Sequence, residues 1–165
     1  MTHLLKIAVW NANGLWQHAQ EIKLFIQTFH IDILLVAETH FTARSYIKIP
    51  NYTIYHTTHP DETAHGGTAV IIRQNIKHHV REGYKHDNLQ ATSITIEDNI
   101  GETTFLQYTA LQSTTINTKI MTDSLRHLET ASLPEETTMP NTPPGDPDLR
   151  IRKEESYLRL CKIIT

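Results

Sequence analysis

The chain has 165 residues, a formal net charge of −3 at pH 7 and 39% hydrophobic residues. This length suits one domain with a core, and the charge argues against a dedicated, nonspecific nucleic-acid binder, which would carry a basic excess. No apolar run of about 18 residues occurs, so we expect neither a membrane span nor a secretory signal. With Cys161 as its single cysteine, the chain cannot form an intrachain disulfide, and we expect an intracellular protein.

The first third of the chain predicts a strand, helix, strand unit. Residues 4–10 are rich in aliphatic and β-branched residues, as a strand requires, and residues 31–36 form a second, nearly continuous apolar run. Between them, residues 16–30 carry apolar side chains at helical spacing. These side chains are Ile22, Phe25, Ile26 and Phe29. The two strands, joined by a helix, are therefore expected to run parallel.

A polar motif follows each of these two strands. Trp-Asn-Ala-Asn-Gly-Leu, with Asn11 and Asn13, ends the first strand, and Ala-Glu-Thr-His, with Glu38, ends the second. Because the carboxyl ends of parallel strands meet at one edge, where open α/β folds build their sites, we expect the two motifs to lie together. Amide and carboxylate oxygens are hard ligands that suit Mg²⁺ or Mn²⁺. For Asn-Ala-Asn-Gly the alternative is a simple turn, and for Glu38 a helix cap or an exposed loop acid.

The middle of the chain predicts antiparallel hairpins. Residues 52–57 and 68–72 read as strands joined by a polar loop, and residues 91–97 and 103–108 read as a second pair around the turn Asp-Asn-Ile-Gly. In the first loop, Gly66 and Gly67 are expected to supply positive φ at the strand entry, with close approach of a phosphate as the alternative.

Three features are predicted for the last third. Residues 117–130 carry Met121, Leu125 and Leu128 on one helical stripe. Residues 131–148 hold five of the seven prolines and are expected to form a linker or a disordered stretch. Residues 149–165 form a short amphipathic C-terminal segment, for which a terminal helix is expected.

Eleven histidines are a high count for this length. His56, His59 and His65 lie close in the sequence and raise the question of zinc. Because no cysteine pair and no His-Glu-x-x-His accompany them, surface histidines are the favoured interpretation.

In order and spacing, the Asn11 motif, the Glu38 motif and Gly-Gly-Thr-Ala-Val at Gly66 together resemble the endonuclease domain of jockey-like non-LTR retrotransposons. That family belongs to the exonuclease-endonuclease-phosphatase superfamily, which includes the apurinic/apyrimidinic endonucleases. The resemblance covers roughly residues 3–128. It implies an N-terminal part of a four-layer α/β sandwich, with a partial domain over residues 1–130.

The resemblance also implies function. The complete family enzyme hydrolyses a DNA phosphodiester with Mg²⁺ or Mn²⁺, acts in the nucleus and is joined to a reverse transcriptase region, without a membrane. Carried over by motif, Glu38, Asn11 and Asn13 are the metal-site residues, and Asn11, Glu38 and Tyr108 are the catalytic residues. Tyr108 corresponds to the family's Tyr-x-Pro-Pro, although the prolines are absent here.

Two family motifs have no counterpart. Ser-Asp-His does not occur, and Gly145-Asp146-Pro147-Asp148 matches Gly-Asp-x-Asn only superficially. The Asp and His that would orient the attacking water are therefore missing, and we expect little or no nuclease activity from a truncated domain with an unrelated or frameshifted tail. The alternatives are a non-catalytic remnant, a domesticated nucleic-acid-binding module and, less favoured, a phosphatase on the same scaffold.

Overall fold

A computed structural model of the chain describes residues 5–98, 101–110, 117–122, 128–131 and 158–163. Two β-sheets pack face to face, and one α-helix lies on the outer face of the larger sheet. Three layers of the expected sandwich are thus present among the described residues, and the α/β class is confirmed. No helix in this part of the chain is long and apolar enough to cross a membrane.

Among the described residues, the larger sheet contains β1 Leu5–Asn11, β2 Ile33–Ala37, β3 Tyr52–Thr57, β4 Thr68–Arg73, β10 Leu128–Ala131 and β11 Leu158–Ile163, and its helix is α1 Ala19–Phe29. These six strands stand in the order β10-β11-β1-β2-β4-β3. β1 and β2 are parallel, and β3 and β4 form an antiparallel hairpin. Both pairings confirm the prediction.

The second sheet is antiparallel. It contains β5 His78–Val80, β6 Tyr84–His86, β7 Leu89–Asp98, β8 Gly101–Ala110 and β9 Asn117–Thr122. The predicted hairpin is the β7–β8 pair, each strand being longer than expected. The sequence does not predict β5 and β6, because they are short, mostly polar and largely exposed.

Two apolar clusters hold the layers together. The first lies between the sheets, where Ile7, Leu35 and Val70 of the larger sheet meet Ile94 and Phe105 of the smaller one. The second lies on the opposite face of the larger sheet, where α1 covers the alternate residues of β1 and β2. Because both faces of β2 are covered, all five of its residues are buried. The ends of β1 and β2 are therefore held in place by packing on both faces of the sheet.

Two predicted helices are wrong. Residues 117–122 form β9 and residues 128–131 form β10, where the sequence predicts one helix, and residues 158–163 form β11 instead of a terminal helix. β9 pairs with β8, and β11 pairs with the open edge of β1. Pairing with a strand distant in sequence overrides the local helical spacing here. The predicted linker, residues 131–148, lies outside the described residues except for its first residue, which ends β10.

Candidate active site

The two polar motifs leave the sheet side by side. Asn11 is the register partner of Ala37, the residue before Glu38. Beyond the strands the two segments remain hydrogen-bonded, since Gly14 N–H donates to the Glu38 carbonyl and Leu15 N–H to the Thr39 carbonyl, each at 2.9 Å. The predicted shared edge is therefore confirmed.

The backbone of both motifs is left-handed at non-glycine residues. φ is +41° at Asn13, +53° at Glu38 and +54° at His40. Such residues are uncommon in folded proteins and cluster at functional sites, where the surrounding structure holds them. At Asn13 the backbone N–H donates to Asn11 Oδ1 at 3.1 Å, which orients the Asn11 amide.

Glu38 is held by two side-chain donors. His40 Nε2 lies 3.3 Å from its Oε2, and the Thr109 hydroxyl of β8 donates to its Oε1. The hydrogen bond from His40 lowers the pKa of Glu38, and the Thr109 hydrogen bond and the charges of His40 and His65 act in the same direction, against the opposing effect of burial. Glu38 is therefore ionised at neutral pH while its side chain remains 31% exposed.

Gly66 and Gly67 in the β3–β4 loop hold the backbone of the Glu38 motif through hydrogen bonds. The backbone N–H of Thr39 donates to the Gly67 carbonyl at 3.2 Å, and that of His40 donates to the Gly66 carbonyl at 2.9 Å. Both glycines have positive φ, and a Cβ on Gly67 would lie 2.7 Å from Thr39 Oγ1. The glycines thus supply the positive φ that the sequence predicts and allow close contact with the Glu38 motif.

Tyr108 does not join this site. In β8 the buried residues alternate with partly exposed ones, and Thr109 belongs to the buried set with Phe105. Because successive side chains of a strand point to opposite faces, Tyr108 lies on the face away from Glu38. A catalytic role for Tyr108 stays a prediction from the resemblance, and Thr109 is the β8 residue that contacts Glu38.

Sequence reasoning missed three residues near Glu38: His40, Thr109 and His65. His40 stands within the quoted motif, so its proximity had a signal. Thr109 had none, since Thr-Thr-Phe-Leu-Gln-Tyr-Thr shows no clear alternation that would reveal which residues face the larger sheet.

The donor set at this edge fits a hard cation. An ionised carboxylate and an oriented amide oxygen follow the ends of two neighbouring parallel strands, and oxygen ligands of this kind suit Mg²⁺ or Mn²⁺. Glu38 and Asn11 are the residues best placed to hold it, with Asn13 next to them.

Comparison with protein families gives a match over most of the chain. The model of the Endonuclease/Exonuclease/phosphatase family matches residues 8–163. This range includes both polar motifs, and it extends beyond residue 128, where the resemblance in motifs ends.

The curated relatives come from mobile elements of Drosophila. One is the RNA-directed DNA polymerase from mobile element jockey of Drosophila melanogaster, 33% identical over 100 residues that make up 61% of this chain and 11% of that protein. Another is the probable RNA-directed DNA polymerase from transposon BS of the same species, 31% identical over 124 residues, or 74% of this chain and 14% of that protein. The chain thus spans only a small part of the length of these relatives.

Solved structures of AP endonucleases are also similar. AP endonuclease LMAP from Leishmania major matches 59% of this chain and 37% of its own at 16% identity, with a TM-score of 0.49. The catalytic domain of Xenopus laevis APE2 matches 64% of this chain and 44% of its own at 16% identity, with a TM-score of 0.48.

Proposed function

The chain belongs to the Endonuclease/Exonuclease/phosphatase family, and we propose on this basis that its sheet-edge site binds Mg²⁺ or Mn²⁺ and, through the cation, a phosphodiester of DNA. The observation that carries the proposal is the position of an ionised Glu38 beside Asn11 at the ends of two parallel strands. A carboxylate held ionised and partly exposed at such an edge is a strong cation ligand.

Each residue has a distinct part in the proposal. Glu38 supplies the charged ligand, Asn11 supplies an amide oxygen, and Asn13 fixes that amide through its backbone N–H. His40 and Thr109 act on Glu38, because their hydrogen bonds orient its carboxylate and keep it ionised. When bound, the cation would polarise the phosphate and stabilise the charge that develops during hydrolysis.

We propose in addition that this chain by itself hydrolyses DNA slowly or not at all. The resemblance assigns water activation to an Asp and a His in motifs that this sequence lacks. Removing members of a catalytic unit costs most of its rate, and the remaining members do not compensate. Cation binding is therefore expected to be stronger than catalysis.

The partners follow from the relatives. The two Drosophila proteins are named as RNA-directed DNA polymerases of mobile elements, which supports a domain that, in a complete element, is joined to a reverse transcriptase and acts on DNA in the nucleus. The polymerase itself is not a property of these 165 residues.

Nicking of supercoiled plasmid by the purified chain tests the proposal, with Mg²⁺, with Mn²⁺ and with chelator. Glu38→Gln is the informative variant, and Glu97→Gln is its control, because Glu97 is a surface carboxylate on β7. We expect little nicking by any of the three proteins. We expect the wild type and Glu97→Gln to bind the cation and Glu38→Gln to lose that binding. Chelator-sensitive nicking that Glu38→Gln abolishes would support the metal site and refute the loss of activity.

The competing function is a non-catalytic nucleic-acid-binding module. Such a module would retain DNA in a gel-shift experiment without a cation, and Glu38→Gln would not weaken the complex. Cation-independent binding together with the absence of cation binding would refute the metal-site proposal in favour of this module.

A further inference from the structure

A second group of metal-ligating side chains lies in the loop between β3 and β4. His59, Asp61 and His65 bring one ligand atom each to within 4.8 Å of the others. His59 is 6% exposed, which corrects its interpretation as a surface histidine. The group differs from the oxygen site at Asn11 and Glu38 in its ligands, which are two imidazoles and one carboxylate, although His65 is near enough for its charge to act on Glu38.

The hydrogen bonds of His59 fix which of its ring nitrogens is free to bind a metal. Its Nε2 lies 3.0 Å from the Asp87 carbonyl, which can only accept, so Nε2 carries the proton. In the neutral ring Nδ1 then carries the lone pair, to which the Asp61 backbone N–H donates only a long hydrogen bond of 3.4 Å. Because Nδ1 lies 2.7 Å from Asp61 Oδ1, a positive charge must hold this pair together, either a proton on Nδ1 or a bound metal ion.

The same reasoning applies to His65. The Thr63 hydroxyl donates its proton to Asp61 Oδ1 at 2.9 Å, so the hydroxyl oxygen accepts from Nδ1–H of His65. His65 Nε2 is left with the lone pair of the neutral ring, 3.7 Å from Asp61 Oδ2. Both histidines therefore place a ring nitrogen near the same carboxylate.

Asp61 is suited to this position. A hydrogen bond from the Thr63 backbone is the largest effect lowering the pKa of Asp61 to about 2, so Asp61 is a charged carboxylate at neutral pH. A proton on His59 Nδ1 is the alternative positive charge, and it accounts for the His59–Asp61 pair alone. A divalent metal would engage all three ligands, including His65 Nε2.

We propose that His59 Nδ1, His65 Nε2 and the Asp61 carboxylate bind a divalent transition metal of the Zn²⁺ class. Two imidazoles and a carboxylate are a typical zinc ligand set. The ring nitrogens that do not bind the metal have acceptors: His59 Nε2 donates to the Asp87 carbonyl, and His65 Nδ1 donates to the Thr63 hydroxyl. Such partners orient the ligating histidines of metal sites. Bonds of about 2.1 Å in a tetrahedral site place ligand atoms roughly 3.4 Å apart. The 2.7 Å pair of His59 and Asp61 must therefore open and the widest pair must close, which rotation of the exposed Asp61 and the partly exposed His65 side chains allows.

The loop position indicates what the metal does. His59 joins the β3–β4 loop to the Asp87 carbonyl in the β6–β7 turn. The same loop continues into Gly66 and Gly67, whose carbonyls accept hydrogen bonds from the backbone N–H groups of His40 and Thr39. Binding would brace the segment next to Glu38. Zn²⁺ should therefore raise the thermal stability of the whole chain.

The test is titration of the full chain with Zn²⁺ in excess Mg²⁺, read by competition with a chromophoric chelator and by the thermal midpoint. We expect one tight equivalent and a higher midpoint in the wild type. His65→Asn and Asp61→Asn should each weaken binding at least tenfold and abolish the shift in the midpoint. His79→Asn, which removes an exposed histidine of β5, should change neither.

Two further substitutions distinguish this site from nonspecific Zn²⁺ binding and from the oxygen site. Thr63→Val keeps all three ligands but removes the hydroxyl that orients His65, so it should weaken Zn²⁺ binding, whereas Thr63→Ser should retain it. Glu38→Gln removes no Zn²⁺ ligand, so it should change Zn²⁺ affinity far less than His65→Asn does, by no more than the loss of one nearby charge. Equal affinity in His65→Asn and wild type, or an equal loss in His79→Asn, would overturn the proposal.

Discussion

The hydrogen bond from Thr109 to Glu38 makes a sharp prediction, because it connects the smaller sheet to the candidate site on the larger one. Thr109→Val removes the hydroxyl and keeps the shape of the side chain. A buried hydrogen bond to a charged group contributes about 1.5–3 kcal/mol. Since Glu38 is 31% exposed and water replaces part of this bond, we expect a coupling free energy between Thr109 and Glu38 of about 1 kcal/mol.

A double-mutant cycle measures this coupling. The free energy of unfolding in urea is determined at pH 7 for wild type, Thr109→Val, Glu38→Gln and the double variant. Thr103→Val is the matched control, because Thr103 lies on the same face of β8 and its buried hydroxyl has no hydrogen-bond partner in the described part of the chain. This control should be neutral or stabilising.

The sign of the pH dependence follows from the lowered pKa of Glu38. The stability that ionised Glu38 contributes is fully present above its unfolded value of 4.5 and is lost as the pH falls through the folded pKa. Thr109→Val raises the folded pKa, so its cost is greatest at neutral pH and fades at acidic pH. A coupling of zero, or an equal cost at both pH values, would refute the assignment of this bond.

The remaining predictions concern the packing of two glycines and two apolar side chains and the titration of one histidine. Gly67→Ala should cost roughly 2–5 kcal/mol of unfolding free energy, because it adds a steric clash to the left-handed strain. Gly14→Ala meets only ordinary contacts and should cost only about 1–2 kcal/mol. Equal costs for the two variants would contradict the clash at Gly67. Phe105→Ala should cost about 3–5 kcal/mol by opening a cavity between the sheets, whereas the exposed Val80→Ala should stay within about 0.5 in the same urea experiment. Partial burial of its ring lowers the pKa of His56, although the residue is exposed on β3, so the stability that neutral His56 contributes is present above pH 6.5 and is lost as the pH falls through the folded value. His56→Gln should flatten the dependence of the unfolding free energy on pH over that range, and an unchanged slope would refute this.

Local pattern predicts the fold well where one strand follows another through a helix or a tight turn. The β1-α1-β2 unit and both hairpins could be predicted because their periodicity and their pairing partners are close in sequence. The last strands could not, since β9 and β11 gain their stability from β8 and β1. A helical spacing of a few apolar residues carries no information about such an open edge.

The candidate site divides in the same way. Asn11 and Glu38 could be placed together because parallel strands share an edge, and the register agrees. Thr109 could not be found, because its approach to Glu38 depends on how one sheet packs on the other. For His59 and His65 the sequence raises zinc but favours surface histidines, because spacing alone does not show that His59 is buried or that the two rings are held by Asp87 and Thr63.

The central claim is that Glu38 is a cation ligand at the sheet edge, and Mn²⁺ binding to the full chain tests it most directly. Free Mn²⁺ is followed by electron paramagnetic resonance as protein is added, with Mg²⁺ as the competitor and Glu97→Gln as the control. We predict one Mn²⁺ site from which Mg²⁺ displaces the bound ion, and we expect Glu38→Gln to lower its Mn²⁺ affinity at least tenfold. Equal Mn²⁺ affinity in the wild type and Glu38→Gln would contradict the claim.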